Sequence, residues 1–96
     1  MRARKIFCVV AYDIVDDKRR ESFSRLLAKY GRRVNLSVYE CLFTDGQYEK
    51  IREMTAKLTD RNVDTVIYYP LCVNCYTKIE YFHKPHKKAI SSVDVF

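Results

Sequence analysis

An unbroken apolar run from Ile6 to Tyr12, partly β-branched and of strand length, suits a central strand covered on at least one face. Asp13 follows at its carboxyl end. Phe23, Leu26, Leu27 and Tyr30 then recur at helical spacing, with Asp16 or Asp17 to cap the start and Gly31 to stop the end. This predicts an amphipathic helix of about four turns. Val34, Leu36 and Val38 share one parity and Tyr39, Cys41 and Phe43 the other, so the apolar side switches near Ser37 to Tyr39. A bulge or tight reversal there makes two short strands or one bent one. Thr44 with Gln47 forms a capping-box pattern, and Tyr48, Ile51, Met54, Thr55 and Leu58 mark the inner face of a second helix. Asp64 to Tyr69 reads as a strand closed by Pro70. Lys78 to Phe82 reads as a further strand and Val93 to Phe96 as a terminal one.

That order predicts an α+β fold, the ferredoxin-like split βαβ plan (βαββαβ), with an extra C-terminal strand. Residues 1–82 are expected to form the ferredoxin-like domain, and 83–96 a basic loop and a strand that augments a dimer; a chain of 96 residues supports one core. Both helices pack on one face of an antiparallel sheet and leave the other bare. A second copy related by a two-fold axis is the economical cover, which predicts a homodimer. The terminal segment, reached through the basic stretch His83 to Lys88, is long enough to join a neighbour's sheet edge.

Composition narrows the partner. Apolar residues at 48% and aromatics at 14% exclude a disordered chain. Eighteen Lys and Arg against twelve Asp and Glu leave a formal charge of +6, which draws the protein to a polyanion. DNA, RNA and anionic membrane all satisfy charge alone. No apolar run approaches the roughly 20 residues of a spanning helix, and no secretory signal is visible, so membrane is set aside. A cytoplasmic protein is expected, with Cys8, Cys41, Cys72 and Cys75 in a reducing compartment.

Asp13 is the leading candidate for chemistry. A carboxylate at the end of a strand and beside a helix start is placed like acids that bind Mg²⁺, although a turn or capping role accounts for the position equally well. Two copies of Asp13 facing across a dimer axis would supply two carboxylates for one ion. Asp16 and Asp17 suit helix capping. Lys18, Arg19 and Arg20 oppose the macrodipole in the first helical turn, which suggests another use, and Arg32 with Arg33 adds a second basic cluster after the same helix. Together they predict a surface that tracks phosphates.

Other motifs carry less. Cys72-Val-Asn-Cys75 is a CxxC without a second pair at zinc spacing. Redox CxxC motifs sit at a helix start after a strand in a thioredoxin-like order that this chain lacks, so buried or half-buried free thiols are expected. With only two glycines, phosphate-cradling and dinucleotide loops are out of reach. Tyr12, Tyr39, Tyr68, Tyr69, Tyr76 and Tyr81 lack RNA-recognition motifs around them and read as core and dimer-interface residues with hydroxyls reaching outward.

Three blocks, Tyr12-Asp-Ile-Val-Asp-Asp-Lys-Arg-Arg20, Tyr30-Gly-Arg-Arg-Val-Asn-Leu-Ser-Val-Tyr-Glu40 and Tyr69-Pro-Leu-Cys72, follow one another in an order that resembles the second CRISPR-associated protein family. The resemblance covers Ile6 to Phe82. It implies that Asp13 is the metal-binding and catalytic acid, served by Mg²⁺ or Mn²⁺. It also implies that Tyr12 flanks the acid and that Arg20 and Arg33 face phosphate; Arg19, Arg32 and Tyr39 complete the candidate nucleic-acid-binding set. Tyr39 stands where the family usually has Phe, and Asn35 where it usually has Gln.

The function so implied is a CRISPR-associated, magnesium-dependent endonuclease acting on RNA or DNA phosphodiesters and taking part in spacer acquisition, with a CRISPR integrase subunit as partner. The alternative is a non-catalytic dimeric adaptor that holds duplex DNA and bridges that integrase. A ferredoxin-like RNA-binding regulator is the third reading.

Overall fold

A computed structural model describes residues 4–83. In chain order the elements are β1 (Lys5–Asp13), α1 (Asp17–Ala28), β2 (Gly31–Asn35), β3 (Val38–Thr44), α2 (Asp45–Leu58), β4 (Thr65–Leu71) and a short α3 (Val73–Thr77). The strands form one sheet in the order β2-β3-β1-β4, every neighbouring pair antiparallel. This is the α+β, split βαβ arrangement that the hydrophobic pattern predicts. β1 is central because its continuous apolar run can be covered on both sides.

Alternation sorts the sheet into two faces. Cys8, Val10 and Tyr12 of β1 and Tyr39, Cys41 and Phe43 of β3 point toward Phe23, Leu26 and Leu27 of α1 and Ile51 of α2. Each large side chain buried there contributes roughly 1.5–3 kcal/mol by leaving water. On the second face Phe7 meets Tyr76 with ring centroids 4.5 Å apart, and Val9, Leu42, Leu71 and Ile79 pack around the pair. That face is only half covered, since Ile67 and Tyr69 remain 42% and 48% exposed.

Capping follows the pattern closely. Asp16 accepts from the Arg19 N–H at the start of α1, and Thr44 with Gln47 completes a reciprocal capping box on α2. The parity switch is a tight reversal at Leu36 and Ser37, with an irregular register between Arg33 and Asn35.

Four expectations are corrected. Gly31 does not end α1 in a left-handed cap: Lys29 is the C-cap in right-handed conformation, and no described glycine has positive φ. Gly31 begins β2 instead, where a Cβ would stand 1.9 Å from the Glu40 carbonyl oxygen. Pro70 does not close β4, which continues to Leu71; its missing N–H is tolerated because β4 is an edge strand. Lys78 to Phe82 is not a strand, and the regular element in that region is α3, held by Tyr76 against Phe7. Cys72 and Cys75 are free but exposed, and only Cys8 and Cys41 are buried.

The terminal strand at Val93 to Phe96 and nearly all of the basic 83–96 segment lie outside the described residues. No helix among the described residues is long and apolar enough to cross a membrane.

Candidate nucleic-acid interface

β1 delivers Asp13 to the end of the sheet, exposed and opposite Thr65. The neighbouring Tyr12 N–H donates to the Ser37 carbonyl at 3.0 Å, which ties the β2–β3 hairpin tip to the same corner. α1 starts four residues beyond Asp13 and brings Arg20 alongside, its Nη1 donating to the Ile14 carbonyl at 2.9 Å and its Nη2 to Asp17. Arg33 lies opposite Tyr39 in the β2–β3 register and so falls on the helix-covered side of the sheet. These residues meet in a cavity of about 640 Å³ whose walls include Tyr12, Asp13, Arg20, Glu21, Ser24 and Arg33. Two guanidinium groups and two carboxylates therefore share one open depression.

Tyr12 belongs to the cavity wall and Tyr39 packs in the core beside it, and neither side chain reaches outward. Each is 5% exposed, Tyr12 stands edge-on to Phe23 at 5.2 Å, and the Tyr39 hydroxyl shares a 2.6 Å hydrogen bond with Ser24. The cavity lies over the hydrophobic core.

Two expected arginines stand away from this cavity. Arg19 grips Asp64, donating from Nε to Oδ2 at 3.2 Å and from Nη2 to Oδ1 and Oδ2 at 3.4 and 3.1 Å. Arg32 points to the sheet's second face, because adjacent strand residues alternate sides. There it lies opposite Glu40, which is 3% exposed and accepts from the Tyr81 hydroxyl. The sequence neighbours Arg32 and Arg33 are thus separated by the sheet.

Asp64 is the residue that sequence reading missed. Its carboxylate accepts from the Val15 N–H at 2.9 Å and from the Asp60 N–H at 2.8 Å as well as from Arg19, and so it fastens the loop after Asp13 to the loop before β4. An acid ahead of a strand carries no signal of such a role. The backbone hydrogen bond from Asp60, then that from Val15, then Arg19 hold its carboxyl below the ordinary aspartate value.

A depressed acid stabilises the fold above its unfolded pKa of about 3.9, and that contribution drains as pH falls through the lower folded value. Asp64→Asn is therefore expected to lower the melting temperature at pH 7 by several degrees. The gap to wild type should narrow progressively below about pH 4. Thermal melts from pH 2 to 8 check this; a gap that does not change with pH would assign the effect to packing instead of charge.

Asp13 is the kind of exposed carboxylate that a hydrated Mg²⁺ accepts as a ligand. That ion accepts one or two carboxylates and otherwise keeps water or phosphate oxygens. A protein cage is not the arrangement here, since no three His, Cys, Asp or Glu among the described residues are grouped to hold a metal. Asp13 also borders an apolar recess on the second face with Ala11, Thr65 and Ile67. It therefore stands on the rim between the two sides of the sheet.

Comparison with known proteins gives concordant matches. A family model described as CRISPR associated protein Cas2 matches residues 6–79. The CRISPR-associated endoribonuclease Cas2 3 of Synechocystis is 34% identical over 77 residues, covering 80% of this chain and 84% of the relative. The CRISPR-associated endonuclease Cas2 2 of Thermus thermophilus is 44% identical over 62 residues, covering 65% and 69% respectively. Among solved structures, Streptococcus pyogenes Cas2 at pH 6.5 superposes with a TM-score of 0.72 at 27% identity, over 80% of this chain and 99% of the other. A chain of a partial Cas6-RT-Cas1–Cas2 complex superposes with a TM-score of 0.67 at 26% identity, over 92% and 99%.

Proposed function

Because the chain belongs to the CRISPR associated protein Cas2 family, we propose that it is a Mg²⁺-dependent endonuclease that acts on RNA or DNA phosphodiesters during CRISPR spacer acquisition. The observation that carries this reading is the convergence of Asp13, Arg20 and Arg33 on one cavity. Arg20 and Arg33 bind phosphate oxygens and steady charge that develops on them, a task suited to guanidinium groups. Asp13 holds the metal, with Mn²⁺ a substitute; the bound ion supplies Lewis-acid polarisation and a more acidic water. None of these contacts reads a base edge, and the grip is therefore indifferent to sequence.

A second copy is proposed to cover Ile67 and Tyr69 on the half-bare sheet face, which brings two Asp13 carboxylates toward one axis. The adaptor reading keeps its place on a specific observation: the only acids lining the cavity are Asp13 and the helix residue Glu21, and no histidine lines it to act as a base. In that reading the same dimer holds duplex DNA and docks an integrase subunit. The relative seen in a Cas1–Cas2 complex supports such a partner in either case.

Salt dependence of duplex binding tests the phosphate grip. Arg20→Ala and Arg33→Ala are each expected to reduce the slope of log K against log salt by about 1 and to weaken unrelated duplexes equally. Arg19→Ala should leave the slope unchanged, since its guanidinium is committed to Asp64. A mutant at position 20 or 33 that re-ranks sequences with its salt slope intact would refute backbone gripping at that residue.

A further inference from the structure

Outside the Asp13 cavity, Cys72 and Cys75 form a second chemically distinctive group. Both thiols are free and exposed. They flank the exit of β4 into α3, and one helical turn brings them to the same side, so that the Cys75 N–H donates to Cys72 Sγ at 3.4 Å. Cys72 also shares a cavity of about 350 Å³ with Arg4 and Lys5. Two cations and one carboxylate, Asp45, thus surround the approach to this sulfur.

The contrast with the other thiols is chemical. Burial pushes Cys8 and Cys41 up to about 12, which leaves them protonated and inert. At the exposed pair, hydrogen bonds from the Cys75 backbone and then from its thiol hold Cys72 below the ordinary thiol value. Cys75 is held above it by that same thiol hydrogen bond and by the charge on Cys72. One sulfur is prepared to attack and the other to wait. Metal binding fits less well, because no third His, Cys, Asp or Glu among the described residues joins the pair.

We propose that Cys72 and Cys75 form a thiol–disulfide exchange site whose substrate is a small anionic disulfide of the glutathione class, with Cys72 as the attacking thiol and Cys75 as the resolving one. The Cys72 thiolate attacks one sulfur of the substrate; its S–S bond breaks, and the distal sulfur leaves as a thiolate that takes a proton from water. A mixed disulfide on Cys72 results. Cys75 then loses its proton to solvent and attacks Cys72 Sγ, breaking the mixed disulfide and releasing the second thiol. The two cysteines are oxidised to a disulfide and the substrate is reduced to two thiols; excess thiol runs the sequence backward. Arg4 and Lys5 provide charge for the substrate's carboxylates.

The test uses the full-length folded protein, glutathione disulfide at pH 7, acid quenching and mass spectrometry with peptide mapping. The wild type is expected to form the Cys72–Cys75 disulfide and retain no adduct, with Cys8 and Cys41 still reduced. Cys75→Ser should trap one glutathione on Cys72, and Cys72→Ser should react at least about tenfold more slowly. Replacing Arg4 and Lys5 with Ala should slow glutathione disulfide while leaving the uncharged hydroxyethyl disulfide unaffected. The proposal is overturned if Cys72→Ser reacts as fast as wild type, or if Cys75→Ser traps no glutathione on Cys72. Equal rates for the folded and urea-unfolded chain would also overturn it, because the folded arrangement would then confer nothing.

Discussion

Asp13→Ala is expected to lose Mg²⁺-dependent phosphodiester cleavage by about 100-fold or more while the protein remains folded and binds duplex at least as well as wild type. The side chain is exposed at the end of β1, outside both hydrophobic clusters, so its removal should change stability by no more than about 0.5 kcal/mol. Binding is preserved or strengthened because a negative charge leaves the cavity lined by Arg20 and Arg33, the proposed phosphate-binding residues. Parallel assays of thermal melting, duplex affinity and cleavage separate these effects. A mutant that cuts at the wild-type rate would remove Asp13 from the reaction. A wild type that binds duplex but fails to cut with Mg²⁺ or Mn²⁺ between pH 7 and 9 would decide for the adaptor, leaving Asp13 as a corner residue without chemistry.

The largest stability effect is expected from Gly31→Ala. The added Cβ would meet the Glu40 carbonyl oxygen at 1.9 Å and Cys41 Cα at 2.6 Å, both backbone atoms of the paired strand that no rotamer change can move away. β2 must separate from β3 or shift along it, at a cost of about 3 kcal/mol or more. The melting temperature should fall by more than about 10 °C in a domain of this size. Gly46→Ala is the matched control: nothing lies within 4 Å of its Cβ, and the residue is in the first turn of α2, so a gain of about 0.4–1 kcal/mol is expected from the stiffened unfolded chain. If both substitutions behaved alike, close approach at Gly31 would not be the reason a glycine stands there.

Hydrophobic period and capping chemistry were sufficient for most of the architecture. β1, α1, the β2–β3 reversal and α2 are each written in a few neighbouring residues: an apolar run, a helical repeat behind Asp16, a change of parity, and Thr44 with Gln47. Local interactions dominate such elements, and local interactions are legible in order along the chain. α3 escaped because five residues are too few to show a repeat, and its anchor, Tyr76 on Phe7, joins positions far apart in sequence.

The candidate site divides along the same line. Composition and the motif around Asp13 indicate an acid beside basic residues and a polyanionic partner, since charge and strand-end position are properties of the chain itself. Which arginines serve that acid was decided only by folding. The pleat of β2 sends Arg33 to the cavity and Arg32 to the opposite face, and a carboxylate 45 residues away in sequence claims Arg19. Likewise, the exposed Cys72 comes to lie beside Arg4 and Lys5 only because β4 ends next to the start of β1. The sequence by itself determined which chemical groups are present and which elements carry them; tertiary structure decided which groups meet, because strand pairing and side-chain direction are set by contacts between distant segments.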